Sequence, residues 1–197
     1  MKEVVLTKSI NFISQYKEYS DDELEQISYG LEGLYLTITK LVIIVLMSII
    51  LNIFKEVMII LVLFNIIRYF GFGIHAKKSS ECLLSSIFCF IILPYFLLSI
   101  KLDNTANLII GTICTINFLL FAPADTVKRP LKNKKKRMIR KTLTTITGII
   151  FIAISMIFEG SSISTLFIAS VIIETIMINP ITYLILRQPY NNYKKIN

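Results

Sequence analysis

The chain contains no tryptophan and one histidine, His75. A single imidazole cannot build a multi-histidine metal site, and no histidine–carboxylate set stands at ligand spacing. The sequence therefore gives no basis for a zinc peptidase or for any bound metal. Cysteine is sparse as well. Cys82, Cys89 and Cys114 are odd in number, and the last two lie inside apolar runs, so no disulfide framework is expected. A glycine-rich loop followed by Lys-Ser/Thr is missing, as is a dinucleotide fingerprint, and no cofactor is expected. Charge is also scarce, at 17% of residues, against about 25% in average soluble domains.

What fills the space is apolar. Hydrophobic residues make up 54% of the 197, and the mean hydropathy is +0.69. They are gathered in long runs rather than amphipathic stripes, which implies an integral membrane protein. The length suits one all-α polytopic bundle of about six transmembrane helices at about 20 residues each. Residues 1–197 are read as a single membrane domain. The runs are approximately Leu34–Phe54, Val57–Ile67, Leu83–Ile100, Ala106–Ala122, Leu143–Phe158 and Ile163–Leu186. Pro94 and Pro180 lie inside the third and sixth and should kink them. Ahead of the runs, residues 1–33 read as amphipathic and entry helices. Leu6, Ile10, Ile13 and Lys17 stand at helical spacing, and no continuous apolar core of a cleavable signal is present. Ser20 and Glu23 have the spacing of a capping box.

The net charge of +8 would suggest nucleic acid in a soluble protein. Here the basic residues lie between apolar runs, and nothing in the chain reads a base, so no nucleic acid is expected. With the N-terminus in the cytoplasm and six spans, all Lys and Arg except Lys55 and Lys101 fall on the cytoplasmic side. The positive-inside rule is met at every loop. It places both termini, residues 68–82 and the basic loop 123–141 in the cytoplasm, and the protein in the cell membrane.

Residues 68–82 hold the only histidine and the one cysteine at the boundary of an apolar run. A cysteine nucleophile needs a nearby base or cation, and histidine is the usual partner. His75 and Cys82 are seven positions apart, which is about 10.5 Å of rise on a straight helix and too far for a hydrogen bond. A turn at residues 77–80 would join them. The plain alternative is a cysteine that begins a helix and a histidine at the headgroup level. Arg68 is either a snorkelling anchor or a group that binds a carboxylate or a developing oxyanion. Glu174 has no basic neighbour in its own run, so it should face the bundle interior and pair with another helix. The run Lys128, Arg129, Lys132, Lys134, Lys135, Lys136, Arg137, Arg140 and Lys141 is a topology signal and lipid-headgroup contact, or a docking site for an acidic peptide, or both. Cys89 and Cys114 read as apolar fillers.

Taken in order, these segments resemble the accessory gene regulator B (AgrB) family, membrane peptidases of Gram-positive peptide quorum sensing. Tyr29-Gly30-Leu31-Glu32 precedes the first span. Arg68 leads to Gly73-Ile74-His75-Ala76, and Cys82 follows. Ala122-Pro123-Ala124-Asp125-Thr126 follows the fourth run, and the basic run comes next. Where the family often carries paired glycines two and three residues before the histidine, this chain has Phe72-Gly73, with Gly71 one position early.

The resemblance implies a cysteine endopeptidase acting on an AgrD-type propeptide with an amphipathic leader, a cysteine-containing signal and an acidic tail. It implies Cys82 as nucleophile and His75 as general base and acid. The tail departs, and the signal remains as a thioester that the substrate's own thiol converts to a thiolactone. Arg68, Gly73 and Glu32 fall where the family places an arginine, a glycine and a Glu or Gln, with oxyanion or substrate-orienting roles. The basic loop would dock the acidic tail, and homodimerisation is also suggested. The competing reading is a small membrane transporter or scaffold with no covalent chemistry.

Overall fold

The structure is a computed structural model that describes residues 2–15, 17, 19–74, 79–100, 102–126 and 130–194. Among the described residues there is no β-strand, and helices take up most of the chain. They form two compact units, residues 1–47 and 48–197.

The first unit holds α1 (Lys2–Ser14) and most of α2 (Asp21–Ile50). The expected capping box opens α2. The Ser20 N–H donates to the Glu23 carboxylate at 3.0 Å, and the Glu23 N–H donates to Ser20 Oγ at 3.3 Å. Two of the amides that a helix start leaves without partners are satisfied in this way.

The second unit contains α3 (Phe54–Gly71), α4 (Ser79–Ile87), α5 (Leu93–Ser99), α6 (Asn104–Phe121), α7 (Lys134–Ile157), α8 (Ser162–Ile178) and α9 (Pro180–Ile185). The six apolar runs are mostly helical, with a turn at residues 51–53 in the first and a break at Asn179 in the sixth. By length and composition, four stretches can cross a membrane: α2, the continuous helix Ser80–Ser99, α6 and α7. The other two are marginal. α3 has 18 residues but carries Lys55, Glu56 and Arg68, and α8 has 17 residues.

Unlike a water-soluble bundle, the exterior is as apolar as the core, which is itself mostly aliphatic and aromatic. Large aliphatic side chains such as Ile109, Ile113 and Leu120 on α6 and Ile146, Ile149 and Ile150 on α7 are exposed, while Ser48, Asn107, Thr144, Ser155, Ser170 and Glu174 are buried. Lipid tails are as apolar as leucine, so small and polar residues gain by facing one another. Several buried hydroxyls return their hydrogen bonds to their own helices, as Thr144 does to the Arg140 carbonyl and Ser170 to that of Leu166, each at 2.8 Å. α8 is the central element and packs on α3, α5, α6 and α7. On α7, Gly148 admits the Phe118 ring of α6, which lies 2.5 Å from where a Cβ would stand.

The two prolines act differently from each other. Pro94 follows a π-helical turn, Phe88–Ile92, in which the Leu93 N–H donates to the Phe88 carbonyl five residues back. Widening the helix there takes up the ring clash and the missing donor, so the span continues. Pro180 ends the helix rather than kinking it. Asn179 is extended (φ −69°, ψ 133°), as a residue before proline prefers, and its side chain caps α9 by accepting from the Ile181 N–H at 2.9 Å.

Candidate functional site

At one end of the second unit, α3 finishes in an unusual turn. Phe72 has φ 61°, and Gly73 has φ +116°, a backbone state that glycine adopts freely and side chains rarely do. The turn is held from two sides. The Gly73 N–H donates to the Ala124 carbonyl at 2.9 Å, and the Ala124 N–H donates to the Gly71 carbonyl at 3.0 Å. These bonds make a short parallel bridge between Phe72 and Ala124. The Ile74 N–H donates to the Met177 carbonyl at 3.0 Å, tying the turn to the end of α8.

Arg68, in the last turn of α3, closes the arrangement. Its Nη2 donates to the Ile74 carbonyl at 2.9 Å, and its Nη1 lies 3.8 Å from Glu174 Oε2. Glu174 is fully buried on α8, so the inward-facing carboxylate expected from the sequence does find its partner on another helix. Both glycines make room for this pair. A Cβ on Gly71 would collide with Glu174 Oε1, and one on Gly73 with Arg68 Nη1.

Beside the turn lies a half-open cleft of about 430 Å³ lined by Asn65, Arg68, Tyr69, Phe72, Gly73, Thr126 and Arg140. Two guanidinium groups in one small cleft suit a carboxylate or the oxygen of a polarised carbonyl. The cleft therefore contains two of the residues singled out from the sequence as orienting groups, Arg68 and Gly73. Glu32, the third, is half-buried on α2 in the first unit.

The basic run divides. Arg140 donates to the Tyr69 carbonyl at 2.7 Å and lies 4.2 Å from the Phe72 ring centre. Lys141 donates to the Leu119 carbonyl at 2.8 Å. These two cations from α7 thus cap the carbonyl ends of α3 and α6, where a helix carries partial negative charge. Arg137 pairs with Asp125 at 3.9 Å and lies on the Tyr193 ring at 3.4 Å. By contrast, Lys132, Lys134, Lys135 and Lys136 are exposed. Lys128 and Arg129 lie outside the described residues.

In the sequence Asp125 stands only as part of a motif, and nothing there singles out Asn192 or Tyr193. The structure makes them one cluster. Asp125 is 2% exposed. Its carboxylate accepts from the Tyr193 N–H at 2.8 Å, the Asn192 N–H at 3.1 Å and the Leu131 N–H at 3.3 Å. Nearby, burial pushes the Tyr190 phenol up to about 12, against the opposing pull of Arg137.

Cys82 sits in the first turn of α4 and is half-buried, whereas Cys89 and Cys114 are buried. Its carbonyl accepts from Ser86 Oγ at 2.8 Å and Ser85 Oγ at 3.1 Å. His75 and the residues to Lys78 lie outside the described residues. Ile74, immediately before them, is pinned as described above. Among the described residues, no group of three or more His, Cys, Asp or Glu converges as a metal site.

A helical bundle whose outward faces are aliphatic, with four helices long and apolar enough to cross a membrane, defines an integral membrane protein. Comparison with known proteins then specifies which kind. The family model described as Accessory gene regulator B matches residues 6–178, and the chain belongs to that family. It is 34% identical to a putative AgrB-like protein of Clostridium acetobutylicum over 173 residues, covering 87% of this chain and 82% of that one. It is 29% identical to a putative AgrB-like protein of Listeria monocytogenes serotype 4a, covering 90% and 88%. Against the Accessory gene regulator protein B of Staphylococcus aureus strain JH9 the identity is 28%, covering 80% and 83%. No solved structure matches the chain.

Proposed function

We propose that the chain is a membrane cysteine endopeptidase that removes the acidic tail of an AgrD-type propeptide and enables closure of a thiolactone ring. One observation carries the reading. The family match spans both His75 and Cys82, and of the three cysteines Cys82 alone is not buried. A nucleophile must be reachable, and the two buried thiols are not.

In this mechanism His75 takes the Cys82 thiol proton as sulfur attacks the carbonyl carbon at the junction of signal and tail. The C–N bond breaks, the proton passes to the departing amine, and the signal remains as a thioester on Cys82. The substrate's own cysteine thiol then gives its proton to His75 as its sulfur attacks that thioester; the thiolactone forms, the bond to the Cys82 sulfur breaks, and His75 passes the proton to that sulfur. Exchange of one thioester for another leaves the bond type unchanged, which suits cysteine better than serine. Arg68 and Arg140, lining the cleft, orient the propeptide backbone or an acidic side chain beside the junction. The exposed Lys132, Lys134, Lys135 and Lys136, with Lys128 and Arg129, attract the acidic tail. Both termini and the site face the cytoplasm, where the propeptide is made.

Co-expression with an AgrD-type propeptide tests the proposal. Wild type should release the tail and form a thioester adduct that hydroxylamine removes. Cys82→Ala and His75→Ala should release none, and Cys82→Ser should trap an ester. Tail release by Cys82→Ala at the wild-type rate would return the transporter or scaffold reading to first place.

A further inference from the structure

The family match ends at residue 178, yet the chain beyond it returns to the site. Gln188 to Lys194 run back to the loop after α6, and Asn192 is 4% exposed there. Two consecutive backbone N–H groups, those of Asn192 and Tyr193, donate to the Asp125 carboxylate. The Asn192 side chain donates to the Asp125 carbonyl at 3.3 Å and to the Pro189 carbonyl at 2.8 Å. The Tyr193 ring covers the guanidinium of Arg137, which faces the same carboxylate. From α9, the buried Tyr183 hydroxyl reaches the Ala124 and Asp125 carbonyls at 3.4 and 3.3 Å.

The other side of this loop carries the turn. Ala124 exchanges both backbone hydrogen bonds with residues 71 and 73. A connected path thus runs from Tyr193 through Asp125 and Ala124 to Gly73 and Ile74, the residue before His75. A buried carboxylate accepting three amides is fixed in place, because each donor it loses leaves a desolvated lone pair.

We propose that residues 189–194 form a strap that sets the Gly73–Ile74 turn through Asp125 and Ala124, making Asp125, Asn192 and Tyr193 positioning residues for the peptidase reaction. The proposal rests on the peptidase reading, and it places part of the working machinery outside the segment that matches the family.

Single-turnover tail release from a propeptide by the detergent-solubilised full chain separates positioning from folding. The amplitude counts molecules able to react, and the rate constant reports how well the reacting groups are placed. A chain ending after Lys194 keeps the whole strap and should match wild type. A chain ending after Tyr190 loses both donors and the ring over Arg137. Its rate constant should fall about ten- to a hundredfold, the range for reacting groups misplaced by about 1 Å. Tyr193→Pro removes one N–H to Asp125 together with the ring over Arg137, and it should lower the rate constant in the same sense. If the shorter chain does not accumulate, Tyr193→Pro decides. A wild-type rate constant with reduced amplitude would mean that the strap only stabilises the fold, and would overturn the proposal. Cys82→Ala, run alongside, must release nothing. Release by that variant refutes the peptidase reading itself, whatever the strap does.

Discussion

Replacing Arg68 with methionine removes the only cation that faces Glu174 among the described residues and leaves a carboxylate with no exposure inside the bundle. At about 4 Å and an effective dielectric near 20, the lost attraction is about 4 kcal/mol. The net loss on breaking a buried pair is similar, about 3–5 kcal/mol, because the remaining charge is desolvated and unmatched. Arg68→Met also forfeits the bond to the Ile74 carbonyl, about 1.5–3 kcal/mol for a charged donor. Glu174→Met should be milder. The Arg68 side chain is 17% exposed and can turn toward water, whereas Glu174 has no such route. The double variant removes both charges and should recover much of the stability, giving a coupling of about 2–3 kcal/mol. Its activity should stay low, since the Ile74 carbonyl still lacks its donor. Equilibrium unfolding of the four proteins in detergent micelles gives the cycle. A coupling below about 0.5 kcal/mol, at the noise of such cycles, would refute an ion pair here.

Gly73→Ala should abolish tail release, because the Cβ meets Arg68 Nη1 and the positive φ is strained for alanine; the backbone alone costs about 1–3 kcal/mol. Comparison of release and thermal stability for Gly73→Ala and Gly30→Ala, where a Cβ meets nothing within 4 Å, checks this. In native membranes, maleimide should label Cys82 well before the buried Cys89 and Cys114, and added propeptide should slow that labelling; mass analysis of tryptic fragments reads the order. Changing Lys132, Lys134, Lys135 and Lys136 together to glutamine should weaken propeptide binding, flatten its salt dependence and leave stability unchanged. Arg140→Gln, which uncaps α3, should instead lower the melting temperature.

The fold was legible where the signal is local. Ser20 and Glu23 announce a helix start by spacing alone, and the apolar runs announce helices. Glu174 is legible as an inward carboxylate, but Arg68 as its partner is not, since the two stand 106 positions apart and pairing between helices leaves no local trace. The division of the basic run did leave one. Arg137, Arg140, Lys141, Thr144, Gly148 and Phe151 recur at three- and four-residue steps, so the buried stripe of α7 continues into the charged segment. Composition hides that stripe because all nine residues of the run count alike as positive. The run around Pro180 is apolar on both sides, which predicts a kink. The helix ends there because Asn179 supplies a cap. Nothing in the sequence pointed to Asn192, whose role comes from the return of the chain to a buried aspartate.

The π-helical turn at Phe88–Ile92 has a geometric consequence for Cys82. A π turn holds one residue more than an α turn, and one residue is about 100° of azimuth. The helical stretch from Ser79 to Ser99 is therefore two half-rods set out of phase. One half is keyed to α8 through α5, and the other carries the thiol at its tip. The facing of Cys82 is thus a phase angle fixed halfway along its own helix: a one-residue deletion between Phe88 and Ile92 would close the π turn to an α turn and keep that facing, whereas a straight α-helix of unchanged length would swing the thiol about a quarter turn.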